Sequence, residues 1–232
     1  MYKIGIDISL SSTAITIKKD NIEYILSYLN KNKVDKWAKK LSDVKNLKIE
    51  RINYEYDKDN YSDSEIQKLT AYDRISDKII NDIKKIVLVE NCDIRIEGYS
   101  YTKNTNSIND IIALSTLIRL KLLKELKCTI KIIAPNTLKI ETCRYAYGVT
   151  EIKKFHKKTN KPLKSEFKIM NSDGIAGGSF TKFEMYKSIL DKKTDTIIYN
   201  FLQENKDVLE MKKIPSPIDD INDSLLLVKI NI

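Results

Sequence analysis

Residues 3–9 read Lys-Ile-Gly-Ile-Asp-Ile-Ser, and this stretch decides the fold more than any other part of the chain. Its three isoleucines alternate with Gly5 and Asp7, which is the period-two pattern of a β-strand with one apolar face. The stretch therefore predicts a first strand with isoleucines on one side and with Gly5 and Asp7 on the other.

The segments that follow predict a mixed α/β fold. Residues 13–18 and 22–29 indicate two further strands joined by a polar turn, so the chain begins with an antiparallel meander. Later strands are expected at 93–98 and 130–134, and helices at 63–87, 107–127, 181–190, 194–210 and 218–230, with a short helix near Trp37 and a strand near 49–54 as further candidates. This order is typical of a mixed sheet with helices on its faces.

The chain is basic and has no apolar run long enough to cross a membrane. Its 232 residues include 41 Lys and Arg against 32 Asp and Glu, a formal net charge of +9. This balance favours a polyanionic partner such as nucleic acid, although a solvated basic surface explains it equally well. Because a strand pattern starts at once, no signal peptide is expected, and the prediction is a cytoplasmic or nuclear protein that is not secreted.

The cysteines and the histidine exclude several kinds of metal site. Cys92, Cys128 and Cys143 are widely spaced and odd in number, which predicts neither a disulfide framework nor a zinc site. His156 is the single histidine and lies in a lysine-rich stretch, where a solvated surface position is expected. Any metal ion must therefore be held by carboxylates.

Four acids form a pattern that ordinary packing does not explain. Asp7 lies in the first strand, Glu97 ends a later strand, and Asp220 and Asp223 project from one face of the last helix. Converging carboxylates repel each other unless a cation lies between them, and Mg²⁺ or Mn²⁺ prefers such oxygen ligands. Taken singly, each acid is also explained as a strand-edge, surface or helix-capping residue. Their ordered combination predicts a divalent-metal site.

Four stretches give the chain a resemblance to a known family. They are Ile4-Gly5-Ile6-Asp7 with Ser11-Ser12-Thr13-Ala14, Ile96-Glu97-Gly98-Tyr99-Ser100-Tyr101, Ile133-Ala134-Pro135-Asn136-Thr137-Leu138-Lys139, and Asp220-Ile221-Asn222-Asp223-Ser224-Leu225. In type and order they resemble the RuvC-type Holliday junction resolvases of the RNase H-like superfamily, particularly viral and phage members. If the source is viral, the expected location is the cytoplasm or nucleus of the host cell, or the virion.

The resemblance implies an α/β fold with an RNase H-like mixed five-stranded sheet, three antiparallel strands followed by parallel strands, and helices on both faces. It implies one nuclease domain over residues 1–232. The chain departs from the family pattern in two places. Residues 8–10 replace a Pro-Gly pair that is usual in the bacterial enzymes, and residues 143–178 look like an insertion where a DNA-contacting loop is expected.

By the same resemblance, the chain would be a metal-dependent endonuclease that cuts four-way DNA junctions by symmetric nicks. Two Mg²⁺ or Mn²⁺ ions would be held by Asp7, Glu97, Asp220 and Asp223, one orienting the attacking hydroxide and the other stabilising the leaving oxygen. Lys139 is the further catalytic candidate. The residues implied to bind nucleic acid are Ser11, Ser12, Tyr99, Tyr101, Lys103, Lys139 and Lys182, with solvated lysines and packed tyrosines as the open alternatives.

The implied partners are branched DNA and a second copy of the chain. No interaction with a membrane is expected. Symmetric cutting needs two active sites related by a twofold axis, and the resemblance places the homodimer contact on the helix at about 107–127. Two alternatives stay open. One is another RNase H-like nuclease acting on RNA–DNA hybrids, flaps or other branched DNA, and the other is a non-catalytic nucleic-acid-binding subunit. The actin and sugar-kinase fold is disfavoured, because it needs a duplicated domain that the sequence does not show.

Overall fold

A computed structural model describes residues 1–30, 36–54, 56, 60–87, 92–99, 105–126, 128–156, 161–162, 164–177, 180–193, 196–211 and 213–230. Six strands in this part of the chain form the main sheet: β1 (Tyr2–Asp7), β2 (Ser12–Lys19), β3 (Ile22–Asn30), β4 (Leu47–Ile52), β5 (Cys92–Glu97) and β6 (Thr129–Ile133). Their order is β4-β3-β2-β1-β5-β6. The first three strands pair antiparallel, and the other pairs are parallel.

The predicted mixed α/β sheet is confirmed, but the predicted count of five strands is wrong. The additional strand is β4, which overlaps the candidate strand near 49–54 and pairs in parallel with β3 at the edge of the sheet. Its sequence, Leu-Lys-Ile-Glu-Arg-Ile, mixes charged and apolar residues, and Lys48 and Arg51 are exposed. An edge strand tolerates this because one side and part of both faces meet water.

Seven α-helices of the described chain cover both faces of the sheet. They are α1 (Lys36–Leu41), α2 (Tyr61–Ile86), α3 (Thr105–Glu125), α4 (Pro135–Tyr147), α5 (Lys182–Asp191), α6 (Ile197–Glu204) and α7 (Ile218–Lys229). Helices α2 and α3 form one core with the isoleucines of β1, while α5, α6 and α7 form the second core on the opposite face. The alternation predicted for residues 3–9 is thus confirmed. None of the described helices combines the length and apolar character needed to span a bilayer.

Residues 143–178 contain a small hairpin outside the main sheet. Its strands, β7 (Val149–Ile152) and β8 (Glu166–Ile169), pair antiparallel. The first five residues of this stretch still belong to α4, a helix that the sequence analysis did not predict. Pro135 both follows β6 and occupies the first turn of α4, where its missing N–H has no cost. That the stretch is an insertion stays a prediction.

The number and spacing of the cysteines predict no disulfide framework, but the structure has one disulfide. Cys92 and Cys128 are joined, with Cα atoms 5.4 Å apart. In the parallel pairing of β5 with β6, Asp93 lies opposite Thr129. Each cysteine directly precedes one of these two residues, so Cys92 and Cys128 lie side by side. Their separation of 36 residues hid this pairing, because only the β5–α3–β6 crossover brings the strand starts together. Cys143 is buried and has a free thiol.

Candidate active site

Three structural elements bring the four predicted acids to one place. Asp7 ends β1 and Glu97 ends β5, and because these strands are parallel neighbours their carboxyl ends meet. Asp220 and Asp223 lie in the first two turns of α7. Carboxylate oxygens of Asp7, Glu97 and Asp223 lie within 4.8 Å of one another. Asp220 lies beside them. It lines one cavity together with Asp7 and Glu97, and its charge helps to raise the pKa of Asp7.

Helix α7 lies close to the sheet because small residues face each other. Gly5 lies under this helix, where a Cβ atom would overlap the backbone oxygen of Ser224 and stand 3.0 Å from the Cβ of Leu227. The hydroxyls of Thr16 and Ser224 are 2.8 Å apart and share a hydrogen bond. Gly5 and Ser224 therefore let α7, which carries Asp220 and Asp223, approach β1, which carries Asp7.

Arg95 holds the other end of α7, and the sequence analysis missed it. Its Nη1 donates hydrogen bonds to the backbone oxygens of Leu227, at 3.1 Å, and of Ile230. Its Nη2 also lies 3.0 Å from Asp93 Oδ2. A cation is favourable at a helix C-terminus, where carbonyl oxygens lack partners. The sequence does give one signal for Arg95. It precedes Glu97 by two residues in β5, so both side chains lie on the same face of the sheet.

Burial raises the pKa of all four carboxyl groups. Asp7 has a pKa well above its usual value, because burial and the charge of Glu97 both disfavour the carboxylate. Burial, with the charge of Asp223, raises the pKa of Glu97 to about 7. Burial and an adjacent acid raise the pKa of Asp220 to about 7. The pKa of Asp223 is raised by burial and held back by Lys182. The cluster thus favours either protons or a cation.

One lysine forms an ion pair with this cluster. Lys182 Nζ lies 2.8 Å from Asp223 Oδ2; the carboxylate is 1% exposed, whereas the lysine side chain is half exposed. Burial alone would lower the pKa of Lys182, but the charge and hydrogen bond of Asp223 raise it above its usual value. One ammonium group cannot neutralise four carboxylates, so the cluster retains capacity for further positive charge.

Three of the four acids open into a cavity of about 300 Å³, which we call the acid cavity. Tyr99, Lys139 and Lys182 line it together with Asp7, Glu97 and Asp220. Arg119 of α3 fixes Tyr99, donating to its hydroxyl at 3.0 Å and lying 4.6 Å from the ring centroid. The sequence does not single out Arg119, because its charge is the only signal and Lys121 and Lys124 carry the same signal in this helix.

Comparisons with known proteins identify the fold. No protein-family model and no curated protein matches the chain. RuvC of Thermus thermophilus aligns over 98% of this chain with a TM-score of 0.44, both alone (9% identity, 91% of its own chain) and with a Holliday junction substrate (8% identity, 90%). The yeast mitochondrial Holliday junction resolvase Ydc2 aligns over 97% of this chain and 75% of its own, with 9% identity and a TM-score of 0.51. The chain has the fold of the RuvC-type resolvases. The resemblance drawn from the sequence motifs is thereby confirmed as one of fold.

Within this RuvC-type fold, the donor set fits a hard divalent cation. The three closest acids offer only oxygen ligands, and those oxygens are near enough together to share an ion. The raised pKa values point the same way, because burial and the neighbouring acids both disfavour the carboxylates, and a bound cation would offset both effects. Asp7, Glu97 and Asp223 are the residues that could hold the ion, with Asp220 beside them.

The residues expected to bind nucleic acid fall into three groups on the RuvC-type fold. Tyr99, Lys139 and Lys182 line the acid cavity. Ser12 is fully buried next to Asp220, and Ser11 is half-buried with its hydroxyl 3.1 Å from that of Ser9. The remaining two, Tyr101 and Lys103, lie outside the described residues. All of these assignments stay predictions.

Proposed function

We propose that this chain is a metal-dependent, structure-selective endonuclease that cuts four-way DNA junctions with symmetric nicks. The observation that carries the proposal is the convergence of Asp7, Glu97 and Asp223, from two strands and a helix, on one point at the edge of the sheet. The proposal treats residues 1–232 as one nuclease domain with an insertion at 143–178. It takes the activity from a shared fold together with a site of suitable chemistry, because fold alone does not determine function.

The site chemistry suits hydrolysis of a phosphodiester. When bound, two Mg²⁺ or Mn²⁺ ions supply activation of water and neutralisation of the charge that develops at phosphorus. Asp7, Glu97, Asp220 and Asp223 would hold them, and Lys139 and Lys182 would bind the oxygens of the scissile phosphate. Attack by water breaks the bond from phosphorus to the 3′ oxygen, which takes up a proton. The products are a 3′-hydroxyl and a 5′-phosphate.

A homodimer would give the two sites that symmetric cutting needs. In α3, Leu114, Ile118 and Leu122 are buried in the chain's own core. Two other leucines of that helix, Leu120 and Leu123, are 44% and 56% exposed. These exposed residues support the proposal that α3 contacts a second copy, since the same patch on both copies is what a twofold contact uses.

Cleavage of a substrate panel tests the proposed function. We expect the wild-type chain with Mg²⁺ to make paired nicks across the centre of a synthetic four-way junction, and to leave a linear duplex of the same sequence intact. Cutting of a flap or of an RNA–DNA hybrid, with the junction left whole, would assign another nuclease activity to the same acids. Tight junction binding without any cutting would indicate a non-catalytic binding protein.

The raised carboxyl pKa values predict that Mg²⁺ stabilises the protein more as the pH rises. Glu97 and Asp220 have folded pKa values of about 7, above the value of about 4 expected when unfolded. Their contribution to stability is therefore present below about pH 4 and lost as the pH rises through about 7. We expect the Tm in EDTA to fall across this range, and the rise in Tm on adding Mg²⁺ to be larger at about pH 8 than at about pH 5.

Thermal unfolding followed by circular dichroism measures both effects. The Asp7→Asn variant is the matched control, because removing one ligand should reduce the Mg²⁺ response at every pH. An Mg²⁺ effect of equal size at both pH values, or none at either, would contradict metal binding by these carboxylates.

A further inference from the structure

The hairpin of β7 and β8 has no role in the proposed cleavage step, yet it carries much of the chain's positive charge. Residues 149–169 contain seven lysines and two glutamates, an excess of five positive charges, whereas the whole chain has an excess of nine. Lys153, Lys161 and Lys164 are exposed and form no ion pair with any residue that the structure describes. These three lysines are therefore available to an anionic ligand.

The same hairpin exposes apolar side chains. In the register of its two strands, Phe167 lies opposite Glu151, and Val149 precedes Glu151 by two residues, so Val149 and Phe167 share a face. Phe167 is 70% exposed and Val149 is 48% exposed. Phe155, beyond the end of β7, is 51% exposed and bridges to Pro162. Apolar side chains exposed together in this way indicate a contact surface.

The opposite face of the hairpin holds its own ion pairs. Glu166 pairs there with both Lys154 and Lys168. The charges left for a ligand are thus those that accompany the exposed apolar side chains. We call this combination of three apolar residues and three lysines the hairpin surface: Val149, Lys153, Phe155, Lys161, Lys164 and Phe167.

The composition of the hairpin surface favours nucleic acid over a protein partner. Contacts between proteins are depleted in lysine, whereas the phosphates of a nucleic acid attract it. Exposed aromatic rings stack on bases, and every base offers a flat apolar face. In a duplex those faces are already covered by the neighbouring base pairs. The hairpin surface therefore suits a strand whose bases are unpaired.

Helix α4 connects the hairpin surface with the acid cavity. Pro135, the first residue of α4, and Lys139 line the acid cavity. The helix ends at Tyr147, two residues before the first residue of β7. Its 13 residues rise by about 1.5 Å each, so the base of the hairpin lies about 20 Å from Pro135 along the helix. At the spacing of a stacked strand, that distance corresponds to about six nucleotides.

We propose that the hairpin surface binds an unpaired DNA strand, with the phenylalanine rings stacked on bases and the lysines against phosphates. The inference rests on the proposed function, because it takes DNA as the ligand, but the binding itself needs neither metal ions nor cleavage. Branched DNA with a single-stranded segment about six nucleotides from the cut bond would contact both sites at once. The preferred substrate is then a branch with unpaired nucleotides in one arm.

Anisotropy of a fluorescein-labelled oligothymidylate, titrated in EDTA so that no cutting occurs, measures this binding. We expect Phe167→Ala to weaken it about tenfold, the effect of losing one stacked base, and to leave binding of a linear duplex unchanged. The Tm should also stay unchanged, because the ring is exposed. Ile22→Ala is the matched control and should bind like the wild type. It removes an exposed apolar side chain at the sheet edge opposite the acids.

Salt dependence tests the lysines. Each phosphate contact on a single strand contributes about 0.7 to the slope of log K against log salt concentration, so Lys153→Gln together with Lys164→Gln should lower that slope by about 1.4. An unchanged slope in this double variant would exclude both lysines from the binding surface.

Phe167→Trp tests the stacking itself. The chain has one native tryptophan, Trp37, which is buried, so emission from an exposed indole on the hairpin is distinguishable from it. We expect oligothymidylate to be bound as tightly as by the wild type and to remove most of the new emission. Binding without any quenching would show that the ring does not stack, and would overturn the inference.

The outcomes separate this inference from the proposed nuclease. Junction cleavage by the wild type, with equal oligothymidylate affinity in Phe167→Ala, would overturn the hairpin surface and keep the nuclease. Absence of cleavage, with the tenfold loss in Phe167→Ala intact, would overturn the nuclease and keep the hairpin surface. Self-association of the wild type that Phe167→Ala abolishes, without an effect on oligothymidylate binding, would assign this face to a second copy of the chain and also overturn the inference.

Discussion

Replacing Asp7 by Asn is expected to abolish DNA cleavage while leaving junction binding in place. Asp7 is 8% exposed, and one of its oxygens lies within 4.8 Å of oxygens of Glu97 and Asp223. An asparagine of the same shape keeps the packing but removes an anionic ligand from the centre of the cluster. Losing several kcal/mol of transition-state stabilisation corresponds to a fall in rate on the order of a thousandfold or more. Single-turnover cleavage and a gel-shift titration measure the two properties.

The same variant is expected to be more stable than the wild type in the absence of metal. The pKa of Asp7 is raised by burial and by the surrounding acids, so an ionised Asp7 weakens the fold at neutral pH. Removing that charge should raise the Tm in EDTA and should reduce the rise on adding Mg²⁺. Asp43→Asn, an exposed acid beyond α1, is the matched control and should change nothing. Undiminished cleavage by Asp7→Asn would overturn the role of Asp7, and a lowered Tm with lost binding would make that role structural.

The sequence predicts the acid cluster because its geometry follows from local rules. Asp7 and Glu97 end two strands, and neighbouring parallel strands bring such ends together. Asp220 and Asp223 share a helix face because they are three residues apart. The approach of α7 to the sheet does not follow from the spacing of the acids. Its physical basis is the pair of small residues, Gly5 and Ser224.

The features that the sequence does not predict depend on contacts between distant segments. Cys92 reaches Cys128 only after a helical crossover, and Arg95 reaches carbonyl oxygens more than 130 positions later. The edge strand β4 is indicated only as a candidate near 49–54, because a half-solvated strand lacks a clean alternation of apolar and polar residues. A cavity of about 250 Å³ brings residues of α5 next to Met211 and Asp219, and no spacing in the sequence predicts that these residues are neighbours.

Replacing Gly5 by Ala is expected to destabilise the protein and to separate the acids. Gly5 is not needed for a left-handed backbone, since the described glycines with positive φ are Gly148, Gly174 and Gly177. It is needed for space, because the added methyl group would overlap the backbone oxygen of Ser224. Backbone atoms of a helix cannot rotate aside as a side chain can, so α7 must move. Overpacking of this kind costs about 3 kcal/mol, or about 10 °C in Tm for a chain of this size.

Gly98→Ala gives the comparison that isolates the close approach of α7. Its added Cβ would lie 3.3 Å from its nearest neighbour, the backbone oxygen of Ile133, which a shift of a few tenths of an ångström relieves. Its Tm should therefore fall less than that of Gly5→Ala. Because α7 carries Asp220 and Asp223, Gly5→Ala should also reduce the rise in Tm on adding Mg²⁺. Equal losses of Tm in both variants, with the Mg²⁺ response of Gly5→Ala intact, would mean that the position of α7 does not depend on the missing side chain at residue 5.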